Sequence, residues 1–217
     1  MINVLIIVFG FFLLLGLLYY EKREDRKPLL VVKSILSLLF VITALLQLHP
    51  VPDYYHYLFA GLIFCLIGDV CLALPQKKAF MVGLVAFLVG HVLYIFSFSS
   101  LIQIHDWISP SLFIFFCMSA LIFLWLRPHL KSMLIPVLFY VLVITVMVSG
   151  AWAVFWKSSF QISGRVFILI GSLCFYFSDV FVAGNKFIKE EYRNRLLGLP
   201  LYYAGQFLLA FSVGLLK

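Results

Sequence analysis

The sequence predicts an all-α, polytopic membrane protein with eight transmembrane helices. Three observations predict it: an extreme apolar composition, eight apolar runs of spanning length, and basic residues concentrated in alternate breaks between those runs. Of the 217 residues, 65% are hydrophobic and only 12% charged. Soluble domains are nearer half apolar and a quarter charged, so an ordinary water-soluble globule is excluded, as is a disordered chain. A hydrocarbon core about 30 Å thick takes about 20 apolar residues per helix, which leaves room for roughly eight spans and no soluble catalytic domain.

The runs lie near residues 3–20, 29–47, 55–74, 80–99, 110–126, 132–153, 165–184 and 198–216, and together form one integral-membrane domain over 1–217. The first has no basic residue ahead of it and no small-residue cleavage site behind it, so it reads as a retained span rather than a signal peptide. It stops at EKREDRKP (21–28), the second at HPVPDYY (49–55), the third at PQKK (75–78) and the fifth at RPHLK (127–131). The breaks after runs one, three, five and seven hold twelve Lys and Arg, against three on the other side, Lys157, Arg165 and Lys217. Loops rich in Lys and Arg stay cytoplasmic, so both termini are expected on the non-cytoplasmic side. The compact chain favours a bacterial inner membrane.

The net charge of +7 therefore sets topology, and no nucleic-acid partner is expected, because no basic face is continuous. Cys65, Cys71, Cys117 and Cys174 all fall within apolar runs without a CxxC pair, and read as packing residues. Tyr54, Tyr55, Tyr57, Trp107 and Trp156 lie at span ends and read as an aromatic belt at the membrane interface.

Four runs share a pattern of two small residues seven apart followed by a polar one: Gly61, Gly68, Asp69; Gly83, Gly90, His91; Gly171, Ser178, Asp179; and Gly198, Gly205, Gln206. Residues seven apart share a helical face, and small-residue stripes permit close helix approach in lipid. Spans three and seven also align at an offset of 110, with Gly61/Gly171, Asp69/Asp179, Val70/Val180 and Ala73/Ala183 identical. A parallel duplication of a four-helix unit accounts for this, and would bring Asp69 and Asp179 together across a pseudo-twofold axis along the membrane normal.

Of nine acidic residues, only these two lie inside runs. Each sits about five residues from the cytoplasmic end of its span, or about 8 Å into hydrocarbon at 1.5 Å per residue. A carboxylate there costs about 2.5–3.5 kcal/mol on insertion scales and normally faces an interior cavity. Lys33, Tyr140 and Tyr176 can reach the same layer, with His91, Tyr94 and Gln206 deeper. Blander readings stand beside the functional one: an aspartate as interhelical glue, His91 as a satisfied core histidine, Lys33 as a side chain that snorkels to the surface rather than pairing with an aspartate.

Segments 61–94 (GLIFCLIGDVCLALPQKKAFMVGLVAFLVGHVLY), 171–187 (GSLCFYFSDVFVAGNKF) and 201–210 (LYYAGQFLLA) resemble the lysoplasmalogenase, or YhhN-like, family of multi-pass membrane proteins. The family's GD span, GH-x-x-Y span, SD span and final YY-x-x-Q span occur in order, and Tyr140 matches in the sixth span. The family's Lys-Pro opening the second span is here Lys33-Ser34. The resemblance implies a hydrolase that cleaves the vinyl ether bond of lysoplasmalogens to a fatty aldehyde and a glycerophospho-ethanolamine or -choline. Lysophospholipid and bilayer lipids would be its partners, and neither cofactor nor metal is expected.

Vinyl ether hydrolysis begins with protonation of the β-carbon to an oxocarbenium ion, so it needs one neutral acid and one nearby anion or base. Two carboxyls in one low-dielectric pocket can divide those roles, as in glycosidases. Asp69 and Asp179 are the expected catalytic pair, with neither role assigned to either one. His91, Tyr94, Tyr140, Tyr176, Tyr203, Gln206 and Lys33 are the expected substrate-binding set. Lys77, Lys78, Lys186 or Arg193 could meet a phosphate.

Three other readings compete. A metal-dependent membrane hydrolase needs three ligands in one place, whereas His91 is the one histidine within a span. A proton-coupled small-solute transporter fits an internal duplication, although no matched pair of Pro- or Gly-broken helices marks the midplane. A non-catalytic lipid-binding protein of the same fold is the third reading.

Overall fold

The computed structural model describes residues 2–107, 110–157 and 159–216; the side chain of Lys77 and the terminal Lys217 lie outside the described residues. Eight helices follow one another: α1 (Ile2–Arg23), α2 (Arg26–Leu45), α3 (Pro52–Ala73), α4 (Lys77–Ser99), α5 (Pro110–Leu126), α6 (Leu134–Trp156), α7 (Ile162–Ala183) and α8 (Tyr192–Ser212). All eight are long and apolar enough to cross a membrane, as an integral multi-pass protein requires. A π-helical turn, Gly184–Ile188, extends α7. Helix α8 begins six residues ahead of its apolar run, because its first turns carry Arg193 and Arg195 yet remain helical. It continues through Pro200 without interruption.

The small-residue stripes explain the tightest pairings. α3 packs most extensively against α4, and α7 against α8. A Cβ added to Gly61 would lie 3.1 Å from the Gly90 carbonyl oxygen, and one added to Gly90 would lie 3.2 Å from that of Gly61. The second hairpin repeats the crossing: a Cβ on Gly205 would meet the Gly171 carbonyl oxygen at 2.7 Å, and one on Gly171 the Gly205 oxygen at 3.0 Å. One turn pair further, Gly83 approaches the Gly68 carbonyl, and in the equivalent place the Ser178 hydroxyl donates to the Gly198 carbonyl at 2.9 Å. Positions in α3 and α7 correspond at an offset of 110, and those in α4 and α8 at 115. The two hairpins thus make two similar backbone crossings, each built by residues seven apart, as an internal duplication of the chain would require.

The hairpins meet at the centre of the molecule. Phe87 of α4 packs edge-on against Phe175 of α7 and Tyr202 of α8, and the Tyr94 hydroxyl donates to Gln206 Oε1 at 2.7 Å. α2 lies against α3 and α8, α6 against α7 and α4, while α1 and α5 sit outermost. Chain α1 turns sharply into α2 at Glu24, which adopts a left-handed conformation (φ 55°).

The expected aromatic belt holds only in part. Tyr57 and Trp156 are exposed, but Tyr54 is fully buried and shares a hydrogen bond of 2.5 Å with Ser212 of α8. Tyr55 is also covered, stacked on His49 at 3.7 Å, and the Trp107 ring packs where a Gly150 side chain would be. Position along a helix is readable from sequence; the side of the helix that faces the bundle is not. The cysteines are all free, and Cys65 is wedged against Gly90 in the core.

Candidate active site

One cleft gathers both intramembrane aspartates. The cleft is partly open to the exterior. Asp69 and Asp179 each stand four residues before the end of their helices, and Lys33 and Tyr140 lie near the starts of α2 and α6 at the same end of the bundle. Leu84, Ile122, Val137, Val141 and Ile144 make its wall apolar, and Lys186, Asn194 and Arg195 line it as well.

The two aspartates have different surroundings. Asp69 is 1% exposed, and its Oδ1 lies 3.1 Å from Lys33 Nζ. Its Oδ2 accepts hydrogen bonds from Ser37 Oγ at 2.7 Å and from the Tyr202 hydroxyl at 2.5 Å. The Tyr203 hydroxyl lies 3.2 Å from Ser37 Oγ, behind the first donors. Lys33 is 4% exposed, so of its two sequence readings the structure selects pairing rather than snorkelling. Asp69 thus faces three donors, one of them a lysine amine.

Asp179 Oδ2 accepts from the Tyr140 hydroxyl at 2.6 Å. The other ionisable neighbour within 4 Å, among the described residues, is His91, whose Nε2 stands 3.7 Å away. The Nδ1 of that ring lies 2.7 Å from the Phe87 carbonyl oxygen, which can only accept, so Nδ1 carries the proton. His91 Nε2 is buried and makes no hydrogen bond. Two lone-pair atoms, Nε2 and Oδ2, thus face one another, an arrangement that accommodates one further proton between them. The aspartate contacts do not repeat residue for residue: α8 donates to the aspartate of α3 through Tyr202, while α4 faces the aspartate of α7 through His91, one turn past Phe87, the counterpart of Tyr202.

Of the residues singled out from sequence, Lys33, Asp69, Tyr140, Tyr176 and Asp179 line the cleft. Tyr176 is tied to Ser119 at 2.7 Å, which in turn bonds Thr145 at 2.6 Å. His91 and Tyr203 stand immediately behind the two aspartates. Tyr94 and Gln206 bond to each other beside Cys65 and do not line the cleft. Sequence reasoning missed Tyr202 and Ser37. Ser37 follows Lys33 by one helical turn, a spacing that could have found it; Tyr202 adjoins Tyr203, and nothing local says which of the two reaches the aspartate. Of the cations weighed for a phosphate, Lys186 lines the cleft, whereas Lys78 and Arg193 are exposed and do not; Arg195 takes that place. Among the described residues, no three His, Cys, Asp or Glu come together as a metal site.

A family model described as the YhhN family matches residues 29–213, from the first turn of α2 to the end of α8. The chain is 28% identical to lysoplasmalogenase TMEM86B of Rattus norvegicus over 216 residues, covering 89% of this chain and 85% of that protein. It is 27% identical to lysoplasmalogenase TMEM86B of Mus musculus, with 89% and 88% covered. It is also 27% identical to a lysoplasmalogenase of Mycobacterium bovis over 177 residues, covering 77% of this chain but 63% of that protein, so it spans less than two thirds of the mycobacterial relative. No solved structure matches it. With the match running over seven of its eight helices, both aspartate segments included, the chain belongs to the YhhN family.

Proposed function

We propose that this protein is a membrane hydrolase that cleaves the vinyl ether bond of lysoplasmalogens, with Asp179 as the acid and Asp69 as the standing anion. The observation that carries the assignment is the unequal pairing within one cleft: Lys33, Ser37 and Tyr202 serve Asp69, while Asp179 has Tyr140 and the bare Nε2 of His91. The relatives named lysoplasmalogenase support the choice of substrate.

In this reading Asp179 transfers its proton to the β-carbon, and the alkene π electrons form the new C–H bond. The adjacent carbon becomes an oxocarbenium ion, stabilised by the negative charge of Asp69. Water adds to that carbon and gives its proton to the Asp179 carboxylate, which restores the acid and leaves a hemiacetal. The hemiacetal then collapses: the bond to the glycerol oxygen breaks, that oxygen takes the hydroxyl proton, and the aldehyde departs. Tyr140 and His91 keep Asp179 oriented throughout. The charge asymmetry of the loops argues that the cleft opens on the cytoplasmic side of a bacterial inner membrane, with both termini opposite.

Hydrolysis in D₂O tests the chemistry. Protonation at carbon predicts an aldehyde carrying one deuterium on the carbon next to the carbonyl, with release from both ethanolamine and choline substrates. No aldehyde from well-folded protein with either substrate would refute the reading and favour a transporter or lipid-binding protein.

A further inference from the structure

We infer that Lys186 and Arg195 form a phosphate subsite at the mouth of the cleft, which holds the phosphodiester of a single-chain lipid and so sets which bond meets Asp179. The inference rests on the hydrolase reading for its choice of lipid, but its geometry stands separately. Lys186 lies seven residues beyond Asp179 along α7 and its π turn, and Arg195 lies seven residues before Tyr202 on antiparallel α8. Seven residues are about two helical turns, so each cation projects from the same face as the group it accompanies, about 10 Å nearer the end of the bundle. In a lysoplasmalogen, seven bonds separate the β-carbon of the vinyl ether from phosphorus, about 9 Å when extended. The two spans agree.

Both cations line the cleft and have charge to offer. Among the described residues no carboxylate lies within 4 Å of Lys186, whose Nζ rests 4.3 Å above the Phe80 ring. Arg195 Nε lies 3.8 Å from a carboxylate oxygen of Glu21 of α1, and its guanidinium, the fork that suits a phosphate, makes no hydrogen bond among the described residues. The scaffold beneath is braced. Buried Asn185, next to Lys186, accepts from the Glu191 backbone N–H at 3.0 Å, and Asn194, next to Arg195, donates to the Lys189 carbonyl at 3.1 Å. These bonds tie the π turn to the first turn of α8 and hold the two cations across one opening.

Binding of a non-hydrolysable 1-alkyl lysophospholipid to the purified full chain, compared with phosphate-free 1-alkylglycerol, tests the subsite without any turnover. The parent should prefer the phospholipid, and Lys186→Gln or Arg195→Gln should each reduce that preference about tenfold, the effect of losing one charge-assisted hydrogen bond. An unchanged preference in both variants, each verified as monodisperse, would overturn the subsite even if aldehyde release is intact. A phospholipid preference present in the parent and reduced in the variants, with no aldehyde released by the parent, would uphold the subsite and sink the hydrolase reading. Displacement of the alkyl lipid by millimolar inorganic phosphate would assign the cations to free phosphate and overturn the lipid site.

Discussion

Replacing Lys33 by Met removes the one cation within 4 Å of Asp69 among the described residues. The pair is 3.1 Å apart, with side chains 5% and 2% exposed. At that distance an effective dielectric constant of about 20 gives roughly 5 kcal/mol of attraction, within the range of about 3–5 kcal/mol seen when one partner of a buried pair is deleted. Ser37 and Tyr202 still donate to Asp69 in the variant, but they cannot neutralise it. Lys33→Met and Asp69→Asn should therefore each lower the melting temperature in detergent by about 10 °C, given roughly 2–4 °C per kcal/mol for a chain of this size. The double variant buries no lone charge and should regain most of that loss, because a buried ion pair can be replaced by neutral groups at little net cost. The assay is a thermal melt of all four proteins, read as a double-mutant cycle. Additive losses, with the double variant the least stable, would refute the claim that the two charges compensate one another.

Tyr140→Phe keeps the ring and deletes the hydroxyl that donates to Asp179 at 2.6 Å, so the turnover number for lysoplasmalogen should fall about tenfold to a hundredfold, the equivalent of about 1–3 kcal/mol, while the melting temperature changes little. Gly205→Ala would press a methyl against the Gly171 carbonyl oxygen at 2.7 Å and the Phe175 nitrogen at 3.1 Å, both backbone; it should destabilise by about 1–3 kcal/mol in a thermal melt, whereas Gly16→Ala, with Val32 its one neighbour at 4.0 Å, should be tolerated. Alkaline phosphatase fused after residue 217 should be active in a bacterial host and a cytoplasm-dependent fluorescent protein at the same place dark; the opposite pattern would contradict the orientation drawn from loop charge.

The spans were legible because hydropathy reports directly on depth, and α2 to α7 begin and end within a few residues of their apolar runs. It does not report on helicity outside the hydrocarbon, which is why residues 192–197 belong to α8 although the run begins at Gly198. The glycine stripes were legible for a stronger reason. Backbones that touch at two points need matching small residues on both helices, so the constraint is written twice, as Gly61/Gly68 against Gly83/Gly90 and again as Gly171/Ser178 against Gly198/Gly205. The unequal surroundings of the two aspartates were not legible. They depend on which neighbours converge from helices far apart in sequence: Tyr202 is 133 residues from Asp69, and Tyr140 is 39 from Asp179. Tyr54 was misread for a related reason, since its partner Ser212 is 158 residues away.

The two-carboxyl assignment is tested most directly by aldehyde release from lysoplasmalogen with the purified parent, Asp69→Asn and Asp179→Asn. The account predicts turnover by the parent and a fall of about 10²–10⁴-fold in each folded variant, the range of general acid–base contributions. Activity near the parent's rate in either folded variant would contradict it.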